Sequence, residues 1–166
     1  MVNRRTALAL LSGALSAPQA AFAATVREIT WDDLIPSGVP YSEIIGEGDM
    51  DAVNDTWNPI YDENGIKLNN ELDGVFVKMP GFVVPFDMNA DGVTSFMLVP
   101  YVGACIHTPP PPANQLVFVN TAKPWPADQL WQAIWVSGIL RTKLQSTGLG
   151  QTGYSIAADN IEVYEW

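Results

Sequence analysis

The chain has 166 residues, 48% of them apolar, with 8 Lys and Arg against 18 Asp and Glu and a formal net charge of −10. That size suits one domain with a real core. The acidic balance argues against a surface for nucleic-acid phosphates, which demand Lys and Arg, and against an anionic membrane surface, while a single cysteine excludes an internal disulfide.

Residues 1–23 read as an export signal. Arg4-Arg5 give a positive start, Ala7 to Ala17 an apolar stretch, and Ala21-Phe22-Ala23 a small-x-small cleavage site, with Ala24 as the first mature residue. The apolar run is shorter than the about 20 residues of a spanning helix. The arginine pair fits the twin-arginine route as well as general secretion. With no cysteine at the cleavage site, no lipid anchor is expected there. The expected location is the periplasm, without membrane insertion after cleavage. Removing residues 1–23 takes two Arg and no acid, leaving 143 residues with 6 basic and 18 acidic side chains and a charge of −12. Such a field suits solubility, cationic partners or metal ions.

Residues 24–70 read as an irregular N-terminal arm. Ile29 to Pro36 suggests a short turn capped by Asp32. Asp49 to Asn70 is polar and rich in Asp, Asn and Pro, which predicts a long loop holding at most a short helix.

Residues 71–166 read as the β domain. Val75 to Met79 predicts a strand, Pro80-Gly81 a break, Phe82 to Phe86 its continuation and Asp87 to Gly92 a turn. Ser95 to Tyr101 is the next strand and Leu116 to Val119 a short buried one. Trp131 to Leu140 alternates and places Gly138 where a strand bends or bulges. Tyr154 to Ala158 and Ile161 to Tyr164 close the chain. Short turns and little helical periodicity predict a mainly all-β fold, a small antiparallel barrel of the oligonucleotide/oligosaccharide-binding (OB) type with five strands. A β-sandwich is the alternative.

The lone cysteine and lone histidine stand two apart, Cys105 and His107, just before Pro109-Pro110-Pro111-Pro112. On an extended strand, residues i and i+2 share a face. Thiolate and imidazole suit zinc or copper, with carboxylates, one of Met79, Met88 or Met97, water or a second molecule completing the set. The competing readings are a buried thiol with a loop histidine, and a Cys/His catalytic pair. The latter lacks an oxyanion-hole signature, and neighbouring strand side chains stand too far apart for easy proton transfer. No catalytic residue is assigned.

The proline run forces a polyproline II segment, a preordered ridge able to dock on a partner or to fix two strand ends. Asn114 and Gln115 follow with further hydrogen-bonding groups. Pro109, Pro110, Pro111, Pro112, Asn114 and Gln115 are therefore the candidate partner-binding residues. Asp87-Met88-Asn89-Ala90-Asp91-Gly92 matches the opening of a calcium loop, but Leu98 stands where its final bidentate Glu belongs, which favours a hairpin turn. The six Trp residues read first as core, with a sugar platform or a protein-docking surface as the alternatives. Paired acids such as Asp32-Asp33 lack the spacing of a glycosidase.

Residues 96–119, FMLVPYVGACIHTPPPPANQLVFV, resemble the signature of an exported bacterial family of unknown function with a core close to LVPYFGACIHVPPPPPNQ. Val102 and Thr108 depart from it without removing a ligand-type side chain. WDDLIP at 31–36, PGFVVPF at 80–86 and WVSGIL at 135–140 extend the likeness. The resemblance implies an OB-type barrel and a role near export-type ABC transporter components and zinc physiology. It supplies no catalytic residue. The leading expectation is a periplasmic binding or accessory protein, handling zinc (or copper) through Cys105 and His107 for an inner-membrane transporter component. The alternative is a metal-free adaptor docking a membrane partner through its polyproline loop.

Overall fold

The computed structural model describes residues 25–51, 56–102, 109–130, 132–147 and 150–165. Eight strands are present among them: β1 Arg27–Glu28, β2 Ile44–Asp51, β3 Thr56–Tyr61, β4 Phe76–Asn89, β5 Gly92–Val99, β6 Val117–Trp125, β7 Ala133–Thr147 and β8 Gly150–Val163. Short 3-10 turns occupy the connections.

Alternation of apolar and polar residues along β4 and β7 puts Val77, Met79, Ile134, Val136 and Leu140 on one face. That face curls inward. β4 pairs with β5, β5 with β6, β6 with β8, β8 with β7, and β7 returns to β4. The ring of five strands is closed, β6 and β8 run parallel, and the remaining ring pairings are antiparallel. This is a small OB-type barrel, and the β4–β7 pairing rules out an open sandwich. Gly138 marks the expected irregularity: the β7–β8 register shifts between Ser137 and Gly138. A Cβ at Gly138 would lie 2.2 Å from the Ala157 carbonyl oxygen, so only glycine permits that approach.

Strand lengths differ from the sequence reading. Pro80-Gly81 does not break β4. Pro80 stays in register with Trp135, and Gly81 with Ile134. Tyr154–Ala158 and Ile161–Tyr164 lie largely on one strand, β8, rather than two. The turn at Ala90-Asp91 is the expected hairpin, with Asn89 paired to Gly92. Asn89 Oδ1 accepts from the Asp91 amide and Asp87 Oδ2 from the Ser95 hydroxyl, while Leu98 is fully buried in the core.

The arm is more regular than expected. β2 and β3 form a separate two-stranded antiparallel ribbon, hidden in the sequence because Pro59 and the irregular pairing around Gly46 and Gly48 blur the alternation. The turn over Asp32–Leu34 receives no side-chain cap. Asp32 instead accepts from the Tyr41 hydroxyl, and the neighbouring Asp33 carboxylate accepts from the Thr30 amide and hydroxyl. β1 adds to β4 in parallel, and Ile29, Leu34 and Leu72 join the barrel interior beside Phe96, Val117, Tyr154 and Ile156. A smaller cluster of Val84, Met97, Val99 and Leu116 lies on the opposite sheet face, with Phe82 and Phe118 against it.

Candidate functional site

The residues around the proline run explain how it is held. Four consecutive prolines fix φ and remove every backbone donor, leaving carbonyls for others to use. The Tyr61 hydroxyl, from the end of β3, donates to the Pro110 carbonyl at 3.0 Å. Past Pro112 the chain tightens into a 3-10 turn over Ala113–Gln115, with the Gln115 amide donating to the Pro112 carbonyl at 2.8 Å.

Asn114 is fully buried. Its Nδ2 donates to the carbonyls of Asn64 (2.9 Å) and Lys67 (3.2 Å). Gln115 Nε2 donates to the carbonyls of Trp31 (2.9 Å) and Asn114 (3.0 Å). Both amides therefore tie the segment before the barrel to the segment entering β6, with their donor hydrogens engaged inside the molecule. Tyr154 of β8 completes the attachment. Its hydroxyl donates to the Leu34 carbonyl at 2.5 Å and accepts from the Asn69 amide at 2.6 Å. Burial pushes its pKa up to about 12, against a smaller opposing effect of the Asn69 amide.

A cleft of about 280 Å³ opens beside the Tyr61–Pro110 contact. Pro110, Pro111, Pro112, Ala113 and Leu116 line it from the polyproline side, Asn58, Pro59, Tyr61, Asp62, Gly65 and Ile66 from β3 and the following turn, and Gly150 and Gln151 from the start of β8. Gly65 lets the turn press against the prolines, since a Cβ there would lie 2.9 Å from both Pro112 Cβ and Ser42 Oγ. Proline rings, an aromatic ring and the side chains of Ile66 and Leu116 give the lining its apolar part, and Asn58, Asp62 and Gln151 contribute to a nearly equal polar part. Asp62 is its ionisable group. Its carboxylate accepts from the Ser42 hydroxyl (2.8 Å) and from the Asn64 amide (3.0 Å) and side chain (3.1 Å). The Ser42 bond, followed by the neighbouring amides, holds its pKa below the usual carboxylate value despite some desolvation. A site of this kind accepts a side chain or a short extended segment with one polar or cationic group.

The structure thus brings Pro110, Pro111 and Pro112 to a cleft, leaves Pro109 outside its lining, and places Asn114 and Gln115 behind its wall. Cys105 and His107 lie outside the described residues, between Val102 and Pro109 in the chain. Among the described residues no group of three or more His, Cys, Asp or Glu comes together. Met79 and Met97 are fully buried in separate clusters, and Met88 is exposed near the β4–β5 turn. The sequence reading missed Pro59, Tyr61, Asp62, Ile66 and Leu116. The aromatic and proline content of β3 was the available signal, obscured by the surrounding polar loop composition.

Comparison with curated proteins finds no match. Among solved structures, the chain is similar to the crystal structure of a DUF3299 family protein (PA4066) from Pseudomonas aeruginosa PAO1, with 36% identity over 84% of this chain and 97% of that one and a TM-score of 0.69. The family described as "Protein of unknown function (DUF3299)" matches residues 31–163. Spanning both the ribbon and the whole barrel, that match establishes that the chain belongs to the DUF3299 family.

Proposed function

We propose that the protein is an exported accessory protein that docks a partner, an inner-membrane transporter component, in the polyproline-lined cleft. One observation carries the reading: Pro110, Pro111 and Pro112 wall a cleft of about 280 Å³, with the Tyr61 hydroxyl bonded to the Pro110 carbonyl. A donor-free, preordered wall loses little entropy on binding, and the proline rings and Ile66 supply apolar contact beside the polar part of the lining. Ile66, half exposed in the lining, is the residue to change. Ile66→Arg places a charge in the cleft without opening the core. The expected outcome is that an inner-membrane protein co-purifies with the unaltered chain and with Lys143→Ala, an exposed change outside the lining, and is lost with Ile66→Arg. Equal recovery with both variants contradicts the reading.

A second reading rests on the chain position of Cys105 and His107, which immediately precede the cleft wall. In that reading the two residues hold zinc or copper at the docking site and the partner receives or delivers the metal. Zinc and copper content of the protein beside Cys105→Ser and His107→Ala decides it. Stoichiometric metal lost in both variants supports it, and metal retained by both, or none in the unaltered chain, overturns it.

A further inference from the structure

Asp62 is the one charged side chain in the cleft lining, and among the described residues no Lys or Arg pairs with it. Lys67, the cation nearest in sequence, is held by the Glu63 carboxylate at 3.1 Å and by the Asn64 side-chain oxygen at 2.8 Å. The Asp62 carboxylate is nevertheless fixed in place. It accepts from the Ser42 hydroxyl, the Asn64 amide and the Asn64 side chain. A carboxylate offers about four acceptor positions, more than these bonds use. The same donors hold its pKa below the usual value, so it stays ionised at neutral pH. The cleft thus presents an oriented anion without a counter-ion.

The wall opposite is short of donors. Prolines carry no backbone N–H. The Tyr61 hydroxyl is engaged by the Pro110 carbonyl and the Gln115 amide by that of Pro112, while no described residue donates to the Pro111 carbonyl. A guest that brings several donors and a positive charge suits such a site, and an anionic guest is repelled by Asp62. Between the two cationic side chains, the lining favours arginine. Its guanidinium is planar and weakly hydrated, stacks on rings and presents five N–H groups, whereas the lysine ammonium is compact and strongly hydrated and loses more on meeting the proline rings and Ile66. We propose that the cleft receives an arginine side chain from an extended segment of the partner, its guanidinium bonded to Asp62 and its stem against Ile66 and the prolines. This rests on the reading of the cleft as a docking site and names what enters it.

The test measures binding of the full chain, by fluorescence anisotropy, to a labelled peptide with one central arginine between valines. The same peptide with lysine, and with citrulline, the uncharged isostere of arginine, stands beside it. The arginine peptide is expected to bind at least about tenfold tighter than the citrulline peptide, with the lysine peptide between them. Asp62→Asn is expected to weaken the arginine peptide at least about tenfold, to the level of citrulline. Asp159→Asn, which removes the same charge from an exposed position of β8 outside the lining, is expected to leave it unchanged. Circular dichroism confirms that both variants keep the fold, and the peptide comparison on the unaltered chain needs no variant. Arginine and citrulline peptides that bind alike, and are both lost with Ile66→Arg, overturn the proposal and leave the cleft a docking site. Binding that neither Ile66→Arg nor Asp62→Asn alters overturns both readings. Equal weakening by Asp62→Asn and Asp159→Asn means attraction by net charge alone and overturns the proposal, as does free arginine binding as tightly as the peptide, which would make the cleft a small-molecule site.

Discussion

The barrel interior and the ribbon-and-cleft face are built from similar residue types used in opposite ways. Leu34, Leu72, Phe96, Leu98 and Ile156 vanish into the interior, while Ile45, Met50 and Ile60 stand in water on the ribbon. The interior is closed by strand pairing on all sides. The other face is made of short turns, a proline segment and an isolated hairpin, held by a few side-chain hydrogen bonds from Tyr61, Asn114, Gln115 and Tyr154. The difference teaches where stability and recognition reside. The first depends on buried area, and the second on whether a few polar attachments keep the face in shape.

Breaking the interior is expected to have the largest effect. Leu34→Ala, although it lies in the N-terminal arm, empties a fully buried site in the barrel core and should cost ~2–5 kcal/mol in denaturant unfolding. Ile45→Ala on the ribbon should stay within about 0.5 kcal/mol of the unaltered protein. Equal costs would erase the contrast. Next comes Asn114→Ala, which strands the carbonyls of Asn64 and Lys67. A loss of ~1–3 kcal/mol is expected, together with faster amide exchange over residues 63–67, because the turn loses its tie to the barrel.

Tyr154→Phe should cost ~1–2 kcal/mol by leaving the Leu34 carbonyl and the Asn69 amide without their partner. It also has a pH signature. The folded pKa is raised from its ordinary value near 10 to about 12, so the folded state holds the proton more tightly. That stability is complete below the ordinary value and is lost as pH rises through about 12. Thermal melts of Tyr154→Phe between those limits should show a shallower alkaline decline. Asp62 is expected to have the smallest effect, in the opposite direction. Its lowered pKa stabilises the fold above the ordinary carboxylate value, and the gain disappears as pH falls through the lowered one. Asp62→Asn should therefore lower stability slightly at neutral pH and converge on the unaltered protein in acid, which flattens the acid limb of a melting profile.

Much of the barrel was legible in the sequence because its signals are local. Alternation in Val75–Met79 and Trp131–Leu140 revealed buried strand faces, although β7 begins only at Ala133 and Trp131 lies outside the described residues, and Asp87 to Gly92 revealed its hairpin. The cleft was only half legible. Proline fixes its own backbone, so Pro109–Pro112 declared a rigid segment, but Tyr61, Asp62 and Ile66 reach it through contacts across about 50 chain positions, as in the Tyr61–Pro110 bond. No periodicity encodes such a meeting. Asn114 and Gln115 were noticed for their amides, but whether an amide faces a partner or a carbonyl of its own chain is decided by tertiary packing. The ribbon was missed because Pro59, Gly46 and Gly48 interrupt the period-two pattern on which strand recognition depends.

The central claim is that the polyproline-lined cleft is a docking site. The most direct test is site-specific photocross-linking in cells that express the full chain, with the cross-linker at Ile66 in the cleft and, for comparison, at Asp159 on an exposed part of β8. A discrete adduct with one inner-membrane protein from position 66, absent from position 159 and lost when Tyr61→Phe removes the hydroxyl that holds Pro110, is the predicted result. Equal adducts from both positions, or an adduct from 66 that Tyr61→Phe leaves unchanged, would contradict it.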